Sequence, residues 1–290
     1  MYQLFPLFSR RNAGGQKQSP LFVSLKPEKR PTAIEIHAKI KYNYADFFLI
    51  FGEFNIMKTY TLHILRHGLT KGNLDGLYIG HTDTPLCTEG KEQLLQMKKE
   101  LCYPDCSFLF SSPLSRCTET AKILYPSVKP IIIDGLIEYN FGEFEGKSAA
   151  ELYEKQPLFP RWLAGEEGVA PPFGETNEDF AKRVCSSFVK IVDGLLKTGA
   201  DNAVIITHGG VMGAILSNFG LPEASAHEWL APSGCGFSLR ITPSLWTSGQ
   251  KLEVIDEIPL SKETGGNYYD GWDYYPDESD DDFDVSQYLD

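Results

Sequence analysis

Leu65-Arg66-His67-Gly68-Leu69-Thr70-Lys71-Gly72-Asn73 completes the apolar run Leu62 to Leu65 and carries it into polar sequence. A run that stops abruptly in glycine and polar residues reads as a buried strand whose C-terminal end opens into a loop. In open α/β sheets that end is where ligands bind. The residue types there suit a phosphate group. Arg66 offers a planar fork of donors for its oxygens, and His67 offers a ring nitrogen that is neutral and nucleophilic near pH 7. By itself the stretch is also compatible with an Arg-His-Gly that arose by chance on a loop.

Three more blocks end the same way. Phe108 to Phe110 leads into Ser111-Ser112-Pro113-Leu114-Ser115-Arg116-Cys117, a strand, a turn and a helix start. Pro113 and Ser115 suit a helix N-terminus, which aims free N–H groups and a positive dipole at an anion, and Arg116 adds a second guanidinium. Past the strand-like Ile131-Ile132-Ile133 comes Leu136-Ile137-Glu138-Tyr139-Asn140-Phe141-Gly142-Glu143-Phe144-Glu145-Gly146. Ala203-Val204-Ile205-Ile206-Thr207 is strongly β-like and ends in His208-Gly209-Gly210. Four strand ends thus deliver Arg-His, Arg, Glu and His, a combination that accident does not supply.

Helical patterns alternate with these runs, over Glu89 to Leu101, Ser115 to Leu124, Ala149 to Gln156, Glu178 to Leu196 and Val211 to Asn218. The alternation predicts one α/β domain, a mostly parallel sheet flanked by helices. Gly236 to Ile241 and Lys251 to Ile258 read as further strands, so a mixed sheet is expected.

The four blocks, in this order, resemble the histidine phosphatase superfamily, the branch that holds cofactor-dependent phosphoglycerate mutases, fructose-2,6-bisphosphatases and α-ribazole phosphatases. The resemblance covers roughly residues 58 to 258. It implies a three-layer α/β/α, phosphoglycerate mutase-like fold. It also implies that His67 becomes phosphorylated, that Arg66, Arg116 and His208 form the phosphate pocket, and that Glu138 gives a proton to the leaving group. Asn73 would contact phosphate oxygens, with Thr70 and Gly209 also on the phosphate-binding side. One departure stands out: the residue after Arg-His-Gly is commonly Glu or Gln in the family and is Leu69 here, which reads as a difference in substrate range.

These roles agree with the chemistry. Phosphoryl transfer needs an in-line nucleophile, positive charge on the equatorial oxygens and a proton for the departing alkoxide. Arg66, Arg116 and a protonated His208 would supply that charge without a metal ion or any cofactor. Glu138 must be protonated to act as acid, which calls for a raised pKa. Glu143 and Glu145 compete for the role, but the resemblance puts the acid before the Phe-Gly turn.

Mutases of the family carry a sizeable insertion between the acid and the second histidine. Here the connection from Glu138 to His208 is short enough for helical segments to fill it, which favours hydrolysis of a small phosphorylated metabolite. A phosphoglycerate mutase-type phosphotransferase and a non-catalytic phosphate-binding module are the alternatives. Tyr78-Ile79-Gly80-His81-Thr82-Asp83-Thr84-Pro85-Leu86 and Gly174-Glu175-Thr176-Asn177-Glu178-Asp179-Phe180 resemble segments of α-ribazole phosphatases, without naming the substrate. Thr176 with Asp179 is a variant of a capping box.

Other residues invite plainer readings. Gly-Lys-Ser at Gly146 to Ser148 has the wrong spacing for a P-loop and reads as a turn before a helix. His81 suits a surface loop, His63 a strand, and His37 and His227 have no partners in sequence. Cys87, Cys102, Cys106, Cys117, Cys185 and Cys235 form no CxxC pair and no metal spacing, so free thiols in a reducing, cytoplasmic setting are expected. Cys117, beside Arg116 at a helix start, is expected to have a lowered pKa. Tyr153, Phe159, Trp162 and Phe173 read either as a wall for the leaving group or as core.

The chain has 290 residues and a formal charge of −12, which argues against a general nucleic-acid binder. No apolar stretch is long enough to cross a bilayer. Residues 1–56 are basic on balance and lack periodicity, and the core begins at Met57-Lys58-Thr59-Tyr60, which reads as the translation start. Residues 57–260 form the catalytic domain in this reading, and 261–290 an acidic, disordered tail. A homodimer is compatible with all of this; nothing in the sequence specifies the oligomeric state.

Overall fold

The computed structural model describes residues 58–262; the basic N-terminal segment, including His37, and all of the acidic tail beyond Lys262 lie outside the described residues. Strand β1 (Tyr60–Arg66) occupies the middle of a seven-stranded sheet. It pairs in parallel with β5 (Asn202–Thr207), which pairs in parallel with β3 (Phe108–Ser111), which pairs in parallel with the edge strand β4 (Ile131–Ile132). On its other side β1 pairs antiparallel with β7 (Gly236–Ile241), which pairs antiparallel with β8 (Leu252–Ile258). The short β6 (Gly220–Leu221) closes that edge. The sheet is therefore mixed, as the late strands imply. A separate two-stranded ladder joins β2 (Leu101–Cys102) to β9 (Leu260–Ser261), which straddles the expected end of the domain at residue 260.

The central strands are continuous apolar runs because both faces are covered. Alternate residues go to opposite layers. Leu62, Ile64, Ala203, Ile205, Leu239 and Ile241 join one core cluster, while Leu65, Val204, Ile206 and Leu109 join the other. Helices α2 (Thr88–Glu100) and α3 (Ser115–Leu124) cover the second cluster through Leu94, Cys117, Ala121 and Leu124. The long α6 (Asn177–Thr198) and α7 (Gly209–Phe219) cover the first through Phe180, Val184, Phe188, Val211 and Ile215. Three layers result, α/β/α.

Helix ends follow local chemistry. Thr176 caps α6 by accepting from the Asp179 N–H at 3.1 Å, and Gly199 ends it in the left-handed region at φ 71°. Ser148 caps α4 (Ala149–Lys155), so Gly-Lys-Ser is indeed the turn before a helix. Three helices have no counterpart in the sequence reading: the single turn α1 (Lys71–Leu74), α5 (Leu158–Leu163), interrupted by Pro160, and α8 (Pro243–Gly249). Phe159 and Trp162 of α5 are fully buried against Tyr78, Phe141 and Phe144. They are core, not a substrate wall, and Tyr153 packs against Phe159; Phe173 alone of the four is exposed.

Candidate active site

The parallel strands β1, β3, β4 and β5 present their C-terminal ends along one sheet edge, and all four sequence blocks converge there. His67 leaves β1 fully enclosed. Its Nδ1 lies 2.7 Å from the Gly68 carbonyl oxygen. A carbonyl only accepts, so Nδ1 carries the proton and Nε2 keeps a lone pair. Thr120 of α3 fixes this turn, accepting from the Gly68 N–H at 2.9 Å and donating to the Arg116 carbonyl at 2.7 Å. Burial, then Arg116 and Arg66, hold the His67 pKa well below the usual imidazole value.

His208 follows β5, its ring centroid 5.2 Å from that of His67. Arg116 Nε donates to His208 Nδ1 at 3.2 Å, so the ring proton sits on Nε2 and is donated to Ser112 Oγ at 2.8 Å. Burial and the neighbouring Arg116 push its pKa well down. The protonated His208 expected from sequence is therefore not what this enclosure favours: burial first, then the positive charge of Arg116 and Arg66, favours the neutral ring. Arg116 is itself buried, its other donors reaching the carbonyls of Thr82 at 3.0 Å and Gly80 at 2.7 Å. Arg66 donates to the Ala231 carbonyl at 2.9 Å.

Glu138 is fully enclosed, accepting from the Tyr139 N–H at 2.9 Å and from the Gly210 N–H, in the first turn of α7, at 3.0 Å. Those two donors favour the carboxylate, yet desolvation outweighs them and raises the pKa. A raised pKa is what a general acid needs. Glu143 is exposed, and Glu145 is engaged elsewhere, accepting from the N–H groups of His81 at 2.6 Å and Thr82 at 2.8 Å and from the Thr82 hydroxyl.

Three expectations change in detail. The first N–H of α3 does not face an open anion site: Ser115 donates from its backbone and its hydroxyl to Asp83, both at 2.7 Å. Thr70 and Asn73 form a capping box on α1 (Lys71–Leu74), with the Thr70 hydroxyl donating to Asn73 Oδ1 at 2.8 Å. The single hydroxyl proton of Thr70 is thereby committed, and the side-chain donor of this pair outside the capping box is the Asn73 amide nitrogen. The thiol of Cys117 is pushed up to about 12 by complete burial, which outweighs the lowering effect of Arg116. Gly209 begins α7 against Arg66: a Cβ there would stand 3.6 Å from Nε.

Sequence reasoning missed the supports. Ser112, Thr120, Asp83, Glu145, Glu175 and Arg183 act on the site through partners distant in the chain, which the blocks that hold some of them do not reveal. All six cysteines are free. Among the described residues no cluster of His, Cys, Asp or Glu is arranged for a metal ion, and no helix is long and apolar enough to cross a membrane.

Comparison with known proteins finds the same pattern. The family model described as "Histidine phosphatase superfamily (branch 1)" matches residues 62–248. The adenosylcobalamin/alpha-ribazole phosphatase of Salmonella typhimurium is 28% identical over 184 residues, 62% of this chain and 90% of that protein. A probable phosphoglycerate mutase GpmB of Escherichia coli is 29% identical over 203 residues, 68% of this chain and 93% of that protein. Among solved structures, the alpha-ribazole phosphatase of Shigella flexneri superposes with a TM-score of 0.58 at 25% identity, covering 73% of this chain and all of that one.

Proposed function

This chain belongs to the histidine phosphatase superfamily, and on that premise we propose that it is a metal-independent phosphoric monoester hydrolase working through a phosphohistidine. Neutral His67 attacks phosphorus with Nε2, and the bond to the leaving oxygen breaks as Glu138 delivers its proton. Arg66 and Arg116 carry the equatorial charge, with the Asn73 amide and the α7 N-terminus at Gly209 beside them. Glu138, now a carboxylate, takes a proton from the water that hydrolyses the phosphohistidine. His208 serves as a neutral, oriented ring beside the phosphoryl group.

The observation that most supports this reading is the pairing of opposite pKa shifts at one sheet edge. Burial lowers the pKa of His67 and raises that of Glu138, the two directions that a neutral nucleophile and a proton-donating acid require. The short connection from Glu138 to His208, filled by α4, α5 and α6, favours water as acceptor over a mutase cycle. The substrate is a small phosphorylated metabolite. The names of the relatives make α-ribazole 5′-phosphate the first candidate, ahead of sugar and nucleotide monophosphates.

The test is turnover of p-nitrophenyl phosphate with EDTA present, beside His67→Ala. Activity that survives EDTA and disappears in the variant supports the reading. Activity that persists without His67 overturns it, and silence in both proteins returns the mutase and the phosphate-binding module.

A further inference from the structure

We infer that Arg183 is a positioning residue for the general acid, holding the peptide that carries Glu138 so that its carboxyl stays aimed at the leaving oxygen. The inference rests on the phosphatase reading above. Residues 135–138 approach the site outside any long helix or strand, so their carbonyls need partners from elsewhere. The Thr207 hydroxyl donates to the Leu136 carbonyl at 3.0 Å, and one guanidinium supplies the other three. Arg183, in the second turn of α6, donates to the carbonyls of Gly135 at 3.1 Å, Ile137 at 2.8 Å and Glu138 at 3.2 Å.

The same guanidinium pairs with Glu175 at 2.7 Å, and Glu175 accepts from the Asn140 N–H at 2.8 Å. Arg183 thus grips the chain on both sides of Tyr139, before it directly and after it through Glu175. Tyr139 is pinned in turn, its hydroxyl donating to the Glu175 carbonyl at 2.5 Å and accepting from Trp162 Nε1 at 2.9 Å. The Tyr139 N–H is one of the two donors on the Glu138 carboxyl, so any shift of this peptide re-aims the acid. Only a rigid fork of five donors bridges three carbonyls and a carboxylate at once, and a lysine ammonium does not.

A plain structural role would lower every activity alike, whereas a mis-aimed acid has a chemical signature. p-Nitrophenolate departs without a proton; an alkoxide does not. Full-length wild type, Arg183→Met, Arg183→Lys and Glu138→Gln are compared by kcat/KM on p-nitrophenyl phosphate and glycerol 2-phosphate. Glu138→Gln is expected to lose ~10²-fold or more on glycerol phosphate and far less on the aryl ester. Arg183→Met should lose about tenfold in the same alkyl-to-aryl ratio, and Arg183→Lys less. If Arg183→Met does not fold, Arg183→Lys and Glu175→Gln carry the same comparison. Equal losses on both substrates, or none, alongside a selective Glu138→Gln would overturn the role of Arg183 and leave the acid assignment standing. An unselective Glu138→Gln would remove the acid itself, and Arg183's role with it.

Discussion

The Nδ1 atom of His67 sits 2.7 Å from the carbonyl oxygen of the next residue, Gly68. That contact fixes the tautomer and leaves Nε2 as the only nucleophilic atom of the ring. A phosphoryl group trapped on the protein is therefore expected on Nε2. Rapid quenching with labelled p-nitrophenyl phosphate, then alkaline digestion, should release the Nε2-phosphohistidine isomer, acid-labile and alkali-stable. His67→Ala should trap no label. Recovery of the Nδ1 isomer would mean that the Gly68 contact breaks before reaction.

Opposed shifts of acid and nucleophile set the pH profile. His67 must be neutral, and its pKa is held well below 6.5, so the acidic limb of kcat/KM lies below that value. Glu138 must be protonated, and burial raises its pKa above 4.5, so activity falls as pH rises through the raised value. For an alkyl phosphate, Glu138→Gln is expected to remove this basic limb along with roughly 10²–10⁴-fold of rate. A basic limb unchanged in the variant would assign it to another group.

Much of this was legible in the sequence, and the boundary is physical. Strand ends such as Ile206-Thr207-His208 could be read because burial on both faces forces a continuous apolar run and ligand sites break it. Helix α6 showed itself through Thr176 and its apolar stripe. Helix α5 did not, since Pro160 and the bulky Phe159 and Trp162 carry no helical period in so short a segment. The reacting side chains were visible because their types are chemical. The directions in which His67 and Glu138 shift were legible too, whereas the lowered pKa of His208 and the raised pKa of the nearby Cys117 follow from enclosure and were not. Asp83 against Ser115 and Arg183 against Gly135 are contacts of the folded chain alone.

Gly80 ties the loop that follows Tyr78 to Arg116. Its carbonyl accepts from Arg116 at 2.7 Å, and a Cβ on it would stand 1.8 Å from the Tyr139 carbonyl oxygen. Backbone cannot yield as a side-chain tip does, so Gly80→Ala must displace the loop. Tyr78 and Leu86, on either side of Gly80, are buried in the core, so the melting temperature should fall as well, and activity is compared well below it. Misplacement of Arg116 should lower kcat/KM by roughly 10²-fold. A variant with full activity would show that Arg116 does not depend on the Gly80 carbonyl.

His63 offers a test of burial away from the chemistry. It faces Ser238 across the β1–β7 ladder, Nδ1 to Oγ 2.8 Å, and burial lowers its pKa to about 4. Above the unfolded value of 6.5 the ring is neutral in both states and its contribution is intact. As pH falls below 6.5 the unfolded chain takes up a proton that the folded protein refuses until about 4, so stability is lost across that window. One pKa unit is about 1.4 kcal/mol, which gives a loss of roughly 3 kcal/mol at most. His63→Gln keeps a donor and an acceptor for Ser238 but cannot titrate. Urea unfolding at about pH 7.5 and about pH 4.5 should therefore show wild type losing roughly 2–3 kcal/mol more than the variant. His67 and His208 are present in both proteins and cancel in the difference. Equal losses would mean that His63 takes up its proton as readily in the folded chain as in the unfolded one.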